Sequence, residues 1–517
     1  MKRNLLVLFL LLALGTTAQR KPNIVIIISD DHAYQAIGAY GSSLMPTPGI
    51  DRLAREGALF NNAFVANSIC GPSRACILTG KYSHKNGFKD NLSRFDASQD
   101  LFVKRLREGG YQTAWVGKWH LETKPQGFDY WQIFPGQGYY YNPDLIQMDG
   151  SVVRTHGYAT NLVTDIAENW LANRDTSKPF CLVVGHKATH RVWMPDEQDL
   201  GRFDSVQFPL PGNFYDTYEN RYAASRQDMN IEKTMRLGYD LKILPDTGFG
   251  RENYTRLDAE QRKAFDAYYK PIEKDFLSRN LIGKALTEWK YQRYMHDYLS
   301  TAVSLDRNIG RLLDFLDQKN LASNTLVIYL SDQGFYLGEH GWFDKRFMYE
   351  ESMKTPMVAR YPGVIKPGTV YNDLVMNIDI APTALEMAGI DVPKAIQGKS
   401  MLPLFKNTEK AARDAVYYHY YEWGEHAVIP HFGVRTRKYK LIRFYQVADK
   451  WELYDLNTDP HEMNNLIGKK GYQKITASLM KRLKELAIQF EDAEALKVIE
   501  QPVSRADSSV TKNGYNH

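Results

Sequence analysis

The 517-residue chain carries 65 Lys and Arg against 60 Asp and Glu, a net charge of +5, and is 44% hydrophobic with 13% aromatic residues. So even a charge balance speaks against a nucleic-acid binder, and so much apolar content excludes a disordered chain. Three cysteines, Cys70, Cys76 and Cys181, cannot all be paired with one another, so at least one thiol is free or altered.

Residues 1–18 read as a secretory signal: Lys2 and Arg3, an apolar run from Leu5 to Leu14, then small residues at Thr16 and Ala18. The run is short for a bilayer span, and no later stretch is apolar enough for a transmembrane helix, so the expected location is the periplasm or beyond. Asn23 to Ile28 is a β-branched run suited to a strand buried on both faces, and it ends in Ser29-Asp30-Asp31-His32. A helix is predicted from Pro48 to about Glu56 with Thr47 as N-cap. Cys70-Gly71-Pro72-Ser73-Arg74-Ala75 follows, with Pro72 placed to open a helix through Leu78. Further apolar runs end in polar clusters: Gln112 to Val116 before Gly117-Lys118-Trp119-His120, and Phe180 to Val184 before Gly185-His186-Lys187-Ala188-Thr189-His190. The fourth, Thr325 to Leu330, precedes Ser331-Asp332-Gln333-Gly334 and follows a helix whose apolar positions run from Tyr294 to Leu316.

Residues 195–285 are rich in Tyr, Arg and Asp with little periodicity, and read as an insertion over one edge of the sheet. From residue 407 a second unit begins, with short antiparallel strands expected at 415–420, 432–435, 439–444 and 451–455, then a helix from 472 to 490. The expected organisation is an α/β catalytic domain, 19–406, built on a large, mixed, mostly parallel sheet flanked by helices. A smaller α+β subdomain, 407–501, with a short antiparallel sheet follows it, then a polar tail, 502–517.

Four strand ends bearing polar clusters define one site, because ligands of open α/β sheets sit beyond the carboxyl ends of the strands. Asp30, Asp31, Asp332 and Gln333 are oxygen donors whose carboxylates would repel one another without a cation; such a set favours calcium or magnesium over zinc. Lys118 with His120, Lys187 with His190, and Lys345 with Arg74 add cations and proton carriers, which together suit a tetrahedral anion such as phosphate or sulfate.

Cys70-Gly71-Pro72-Ser73-Arg74-Ala75, followed by Leu78-Thr79-Gly80-Lys81, resembles the signature of the type I sulfatases of the alkaline-phosphatase superfamily. Asp30-Asp31, Gly117-Lys118-Trp119-His120, Ser331-Asp332-Gln333-Gly334 and the closing Leu453-Tyr454-Asp455-Leu456 match further landmarks of that family in order. Gln333 departs from the Asn common there but still offers an amide oxygen. The resemblance implies that a maturation enzyme converts Cys70 to formylglycine (3-oxoalanine), whose hydrate attacks sulfur. It also implies that one Ca2+ is held by Asp30, Asp31, Asp332, Gln333 and the modified Cys70. Arg74 would then help the cation polarise the attacking hydroxyl, His190 would protonate the leaving group with Lys345 nearby as electrostatic support, Lys118 would stand among the cations around the anion, and His120 would help deprotonate the second hydroxyl. The stretch from Asp332 to Arg346 and that from Pro209 to Asn220 look most similar to bacterial N-acetylglucosamine-6-sulfatases, which implies a sulfated glycan substrate of mucin or heparin type. Lys187, His426, His431 and Arg435 are the expected sugar contacts. A phosphate or phosphonate ester hydrolase and a silent glycan-binding protein are the competing readings. The oxygen-rich metal set and the intact Cys70, Arg74, Lys118, His120 and Asp332 weigh against them.

Overall fold

The computed structural model describes residues 21–243, 251–408, 413–447 and 449–500; the expected signal and tail lie outside them. Asn23–Ser29, Gln112–Gly117, Phe180–Gly185 and Thr325–Ser331 form the centre of a ten-stranded sheet. In space they run parallel in the order 325–331, 23–29, 180–185, 112–117. Ser29 pairs with Ser331, Ile28 with Gly185, and Gly117 with Gly185, so the four polar endings emerge in line at one edge. Gly117 and Gly185 are required there: a Cβ on Gly117 would lie 2.2 Å from Gly185 O, and one on Gly185 would lie 2.5 Å from Lys118 O.

Helices cover both faces, which is why the central runs are apolar throughout rather than alternating. Ile24, Ile26 and Ile28 pack with Ala75, Ile77 and Leu78 of the Cys70–Thr79 helix. Val25 and Ile27 face Leu305, Ile309 and Leu312 of the long Gly283–Gln318 helix. An antiparallel strand, Met357–Arg360, flanks one side, so the sheet is mixed as expected.

The Pro48–Glu56 helix forms as predicted, but Thr47 does not cap it. Asp306 on the long helix does, accepting from Gly49 N at 2.9 Å and Ile50 N at 2.8 Å, while the Thr47 hydroxyl donates to Asp51. Helix and cap come this close because residue 49 is glycine: a Cβ there would stand 2.4 Å from Asp306 O.

The C-terminal strands Ala415–Tyr420, His431–Thr436, Tyr439–Phe444 and Lys450–Asp455 form an antiparallel sheet in chain order, followed by the Gln473–Gln489 helix. A further helix, Ala493–Glu500, is tied down through Asp492, which accepts from His419 at 2.6 Å and Tyr417 at 2.8 Å. The 195–285 insertion reaches the edge side of the sheet, where Arg256 pairs with Asp144 at 2.8 Å and Phe265 packs on Tyr141, and it also runs along the catalytic loops: Ile231 N donates to Gly341 O, Phe343 N to Met229 O, and Asp228 N to His426 O. It also holds a 21-residue helix, Ala259–Arg279, with an Asp258–Gln261 capping box. Only Gln261, Phe265 and Tyr269 of that helix are buried, too few to leave a clear period in the sequence. No helix among the described residues is long and apolar enough to cross a membrane.

Candidate active site

Cys70 is the first residue of its helix and is buried, with Asn91 Oδ1 accepting the next backbone N–H, that of Gly71, at 3.1 Å. Burial pushes its thiol pKa up, so the sulfur stays protonated. Asp30, Asp31 and Asp332 present oxygens that all lie within 4.8 Å of one another, and a second group joins Asp30, Cys70 and His190 at that spacing. Gln333 Nε2 donates to Asp31 Oδ1 at 2.5 Å and lies 3.7 Å from Cys70 Sγ.

Cations enclose this carboxylate cluster. Arg74 donates from Nε to Asp332 at 2.9 Å and from Nη1 to Lys118 O at 2.8 Å; Lys118 Nζ bonds Asp30, and Lys345 Nζ bonds Asp31 at 2.7 Å. Against the cost of burial, Lys118 above all holds Asp30 well below the usual carboxylate range. Burial outweighs Lys345 at Asp31, which rises to about 6, and burial with the neighbouring Asp30 pushes Asp332 to about 7. Burial and Lys118 bring Lys187 down to about 7; its Nζ donates to Gln137 O at 3.2 Å and stands 5.0 Å from the Tyr140 ring centre.

The donors and acceptors left over state what fits. Asp30 Oδ1 and Gln333 Oε1 are buried acceptors without a hydrogen-bond partner, and Arg74 Nη2 is a buried donor without one. Spare oxygens in a cluster of carboxylates match a hard cation, and a spare guanidinium N–H matches an anion. The residues present therefore fit a calcium-type ion beside a tetrahedral oxyanion.

Both site histidines are held neutral, mainly by burial. His190 Nδ1 donates to Arg191 O at 2.6 Å, which leaves Nε2, 3.8 Å from Asp31 Oδ2, to exchange a proton. His120 is set by Gln137, a residue the sequence reading missed because Pro135-Gly136-Gln137-Gly138 looks like an ordinary turn. Lys118 Nζ donates to Gln137 Oε1, so Gln137 Nε2 donates to His120 Nε2 at 3.2 Å. The proton of His120 is thereby placed on Nδ1, buried and otherwise unpartnered. In this arrangement His120 offers a hydrogen-bond donor, where the expectation had it taking a proton. Asn377 was also missed: its amide donates to Ser73 Oγ at 2.9 Å, and that hydroxyl bonds Asp332 O.

The expected sugar contacts separate. His426 Nε2 is 3.2 Å from Asp344 Oδ2, next to Lys345, and Arg346 pairs with Glu422 at 2.8 Å, so a charged wall continues from the cations toward the C-terminal sheet. His431 does not belong to it. It is fully buried, donates from Nδ1 to Ile429 O at 2.7 Å and accepts Met348 N at Nε2. Arg435 is likewise buried, with its guanidinium 2.9 Å from Glu350 and 4.6 Å from the Phe64 ring centre. Both are structural residues of the strand, and neither has surface to offer a sugar.

A carboxylate cluster ringed by Arg and Lys at the carboxyl ends of a mixed α/β sheet defines an alkaline-phosphatase-like hydrolase. The Sulfatase profile matches residues 22–390, and the profile "N-sulphoglucosamine sulphohydrolase, C-terminal" matches 338–489. The chain is 48% identical over 488 residues to an N-acetylglucosamine-6-O-sulfatase of Bacteroides thetaiotaomicron, spanning 92% of this chain and 87% of that protein. A solved structure in complex with its substrate, D-glucosamine-2-N,6-O-disulfate, superposes with a TM-score of 0.90 at 48% identity, covering 92% of this chain and 99% of that one. A phosphonate monoester hydrolase of Agrobacterium radiobacter, 19% identical with a TM-score of 0.67 over 91% of this chain and 96% of that one, shares the fold. The chain belongs to the sulfatase family and is a sulfuric ester hydrolase.

Proposed function

We propose that the protein is an exported carbohydrate sulfatase that removes 6-O-sulfate from the terminal glucosamine or N-acetylglucosamine of mucin- or heparin-type glycans. The observation that carries this reading is the ring of Arg74, Lys118, Lys187 and Lys345 around the spare oxygen donors beside Cys70, in a chain 48% identical to a relative named for 6-O-desulfation. Residues 19–406 form the catalytic domain. The 407–501 subdomain closes the sugar side of the site with His426.

One calcium ion held by Asp30, Asp31, Asp332 and Gln333 would neutralise their charge and polarise an oxygen of the bound ester. Conversion of Cys70 to formylglycine by a maturation enzyme would put a geminal hydroxyl nucleophile in place of a protonated thiol. The remaining chemistry belongs to the side chains. Arg74 Nη2, Lys118, Lys187 and Lys345 bind the sulfate oxygens and take up the charge that shifts to the leaving oxygen as the S–O bond breaks. His190, its Nδ1 committed to Arg191 O, carries a proton on Nε2 to that oxygen; the arriving anion favours its charged form. His120 keeps its proton on a buried Nδ1 that has no other partner, and His426 with Asp344 and Arg346 faces the sugar. Initial rates on N-acetylglucosamine sulfated singly at O3, O4 or O6, with an aryl phosphate alongside, test the reading. Preference for the 6-sulfate supports it, and faster cleavage of another position or of phosphate overturns it.

A further inference from the structure

A cleft of about 340 Å³ opens between the 218–225 segment of the insertion and Lys450–Asp455, the outer strand of the C-terminal sheet. It shares no residue with the catalytic site. Its rim is aromatic and cationic: Tyr222 and Trp451 are half-buried and Lys450 is exposed, 5.4 Å from the Tyr222 ring centre, while the exposed Arg226, just outside the lining, stands 4.6 Å from the same ring. Neither cation is ion-paired to a carboxylate among the described residues.

The wall behind this rim holds two buried charged groups with unspent bonding capacity. Arg221 bonds Asp216 and stands 3.4 Å from His340 Nδ1, yet its Nε has no partner. Glu452 accepts from Tyr349 and Tyr454, each at 2.8 Å and both on Oε2, and its Oε1 has no partner. Aromatic rings, the polar side chains of Asn220, Ser225 and Asn465, and the unpaired Lys450 in one concave surface with Arg226 at its margin are what an anionic sugar recognises: ring faces for its C–H surface, donors and acceptors for hydroxyls, cations for sulfate.

We propose that this cleft is a second, non-catalytic binding site for a sulfated sugar unit, which holds the glycan on the enzyme. The choice of ligand rests on the glycan-sulfatase reading; the cleft itself does not depend on the chemistry at Cys70. The test uses the full chain with Cys70→Ala, which binds without turnover, and a size-defined heparin tetrasaccharide with its desulfated counterpart as probes, followed by calorimetry. The double variant Lys450→Glu/Arg226→Glu is expected to weaken tetrasaccharide binding roughly tenfold, and Trp451→Ala roughly fivefold. The desulfated probe should bind as weakly to the unaltered cleft. With Cys70 restored, both variants should turn over a 6-sulfated monosaccharide within about twofold of the parent. Equal tetrasaccharide affinity in parent and charge-reversed proteins, or complete displacement of the tetrasaccharide by saturating monosaccharide, would overturn the second site. Trp451→Ala also loses a contact with Arg443, so the charge reversal, confined to exposed side chains, decides if that variant folds poorly. Absence of monosaccharide turnover in the parent would instead defeat the catalytic reading, and the binding arm would still judge the cleft.

Discussion

On the proposed cation site, removing calcium should destabilise the protein in a pH-dependent way whose sign follows from the carboxylate cluster. Without a cation, burial raises Asp31 from 3.8 to about 6 and Asp332 to about 7. At about 1.4 kcal/mol per pH unit, ionising Asp31 alone costs the metal-free fold about 3 kcal/mol. A folded pKa above the unfolded one means a contribution that is complete below about pH 4 and lost as pH rises through 6 to 7. Asp30, held low, is ionised throughout that window and leaves the slope to the other two. A bound divalent ion removes the penalty and must compete with protons at low pH. Urea unfolding in EDTA and in excess calcium, at pH 5.5 and pH 8, measures it. The stabilisation by calcium is expected to be larger at pH 8, by on the order of 3 kcal/mol. Equal increments at both pH values, or none at pH 8, would refute the assignment of these residues as a cation site.

Cys70→Ala should abolish sulfate release while the circular dichroism spectrum stays unchanged; retained turnover would remove Cys70 from the nucleophile position. Arg74→Lys keeps the charge but loses the fork between Asp332 and Lys118 O, and should lower kcat/KM by roughly 100-fold, read on the 6-sulfated monosaccharide. Gln137→Glu can accept a proton from His120 Nε2 where Gln137 donates one. Nitrogen NMR of labelled histidine should then show the His120 proton moved from Nδ1 to Nε2, and an unchanged tautomer would show that Gln137 does not set it. Asp306→Ala strips the cap from the Pro48–Glu56 helix and should cost about 1–3 kcal/mol in urea unfolding, with kcat unaffected.

The central strands and their polar endings were legible because each run buried on both faces is apolar from end to end and stops abruptly at its functional residues. Asp30, Arg74, Lys118 and Asp332 could therefore be assembled from chain order alone. Gln137 could not, because it acts through contacts with Lys118 and His120 that no spacing reveals. Asp306 was hidden for a similar reason: it caps a helix more than 250 residues earlier in the chain, and Thr47 is the better local candidate. His431 and Arg435 misled in the opposite direction. Polar residues on a strand suggest a ligand, but here they satisfy Met348 N and Glu350 within the subdomain interior.

The burial of Cys70 has a consequence in time. Its neighbour Gln333 lies 263 residues further along the chain, and the Arg74 partner Asp332 lies 258 residues beyond Arg74. At 5–20 residues per second, the Cys70 segment spends roughly tens of seconds of synthesis before the residues that close over it exist. On the proposed conversion of Cys70, a maturation enzyme would have that interval, before the sheet zips shut, in which to reach the side chain. A mutation that only hastens folding around residues 70–79 would lower the fraction of active molecules without touching the finished site.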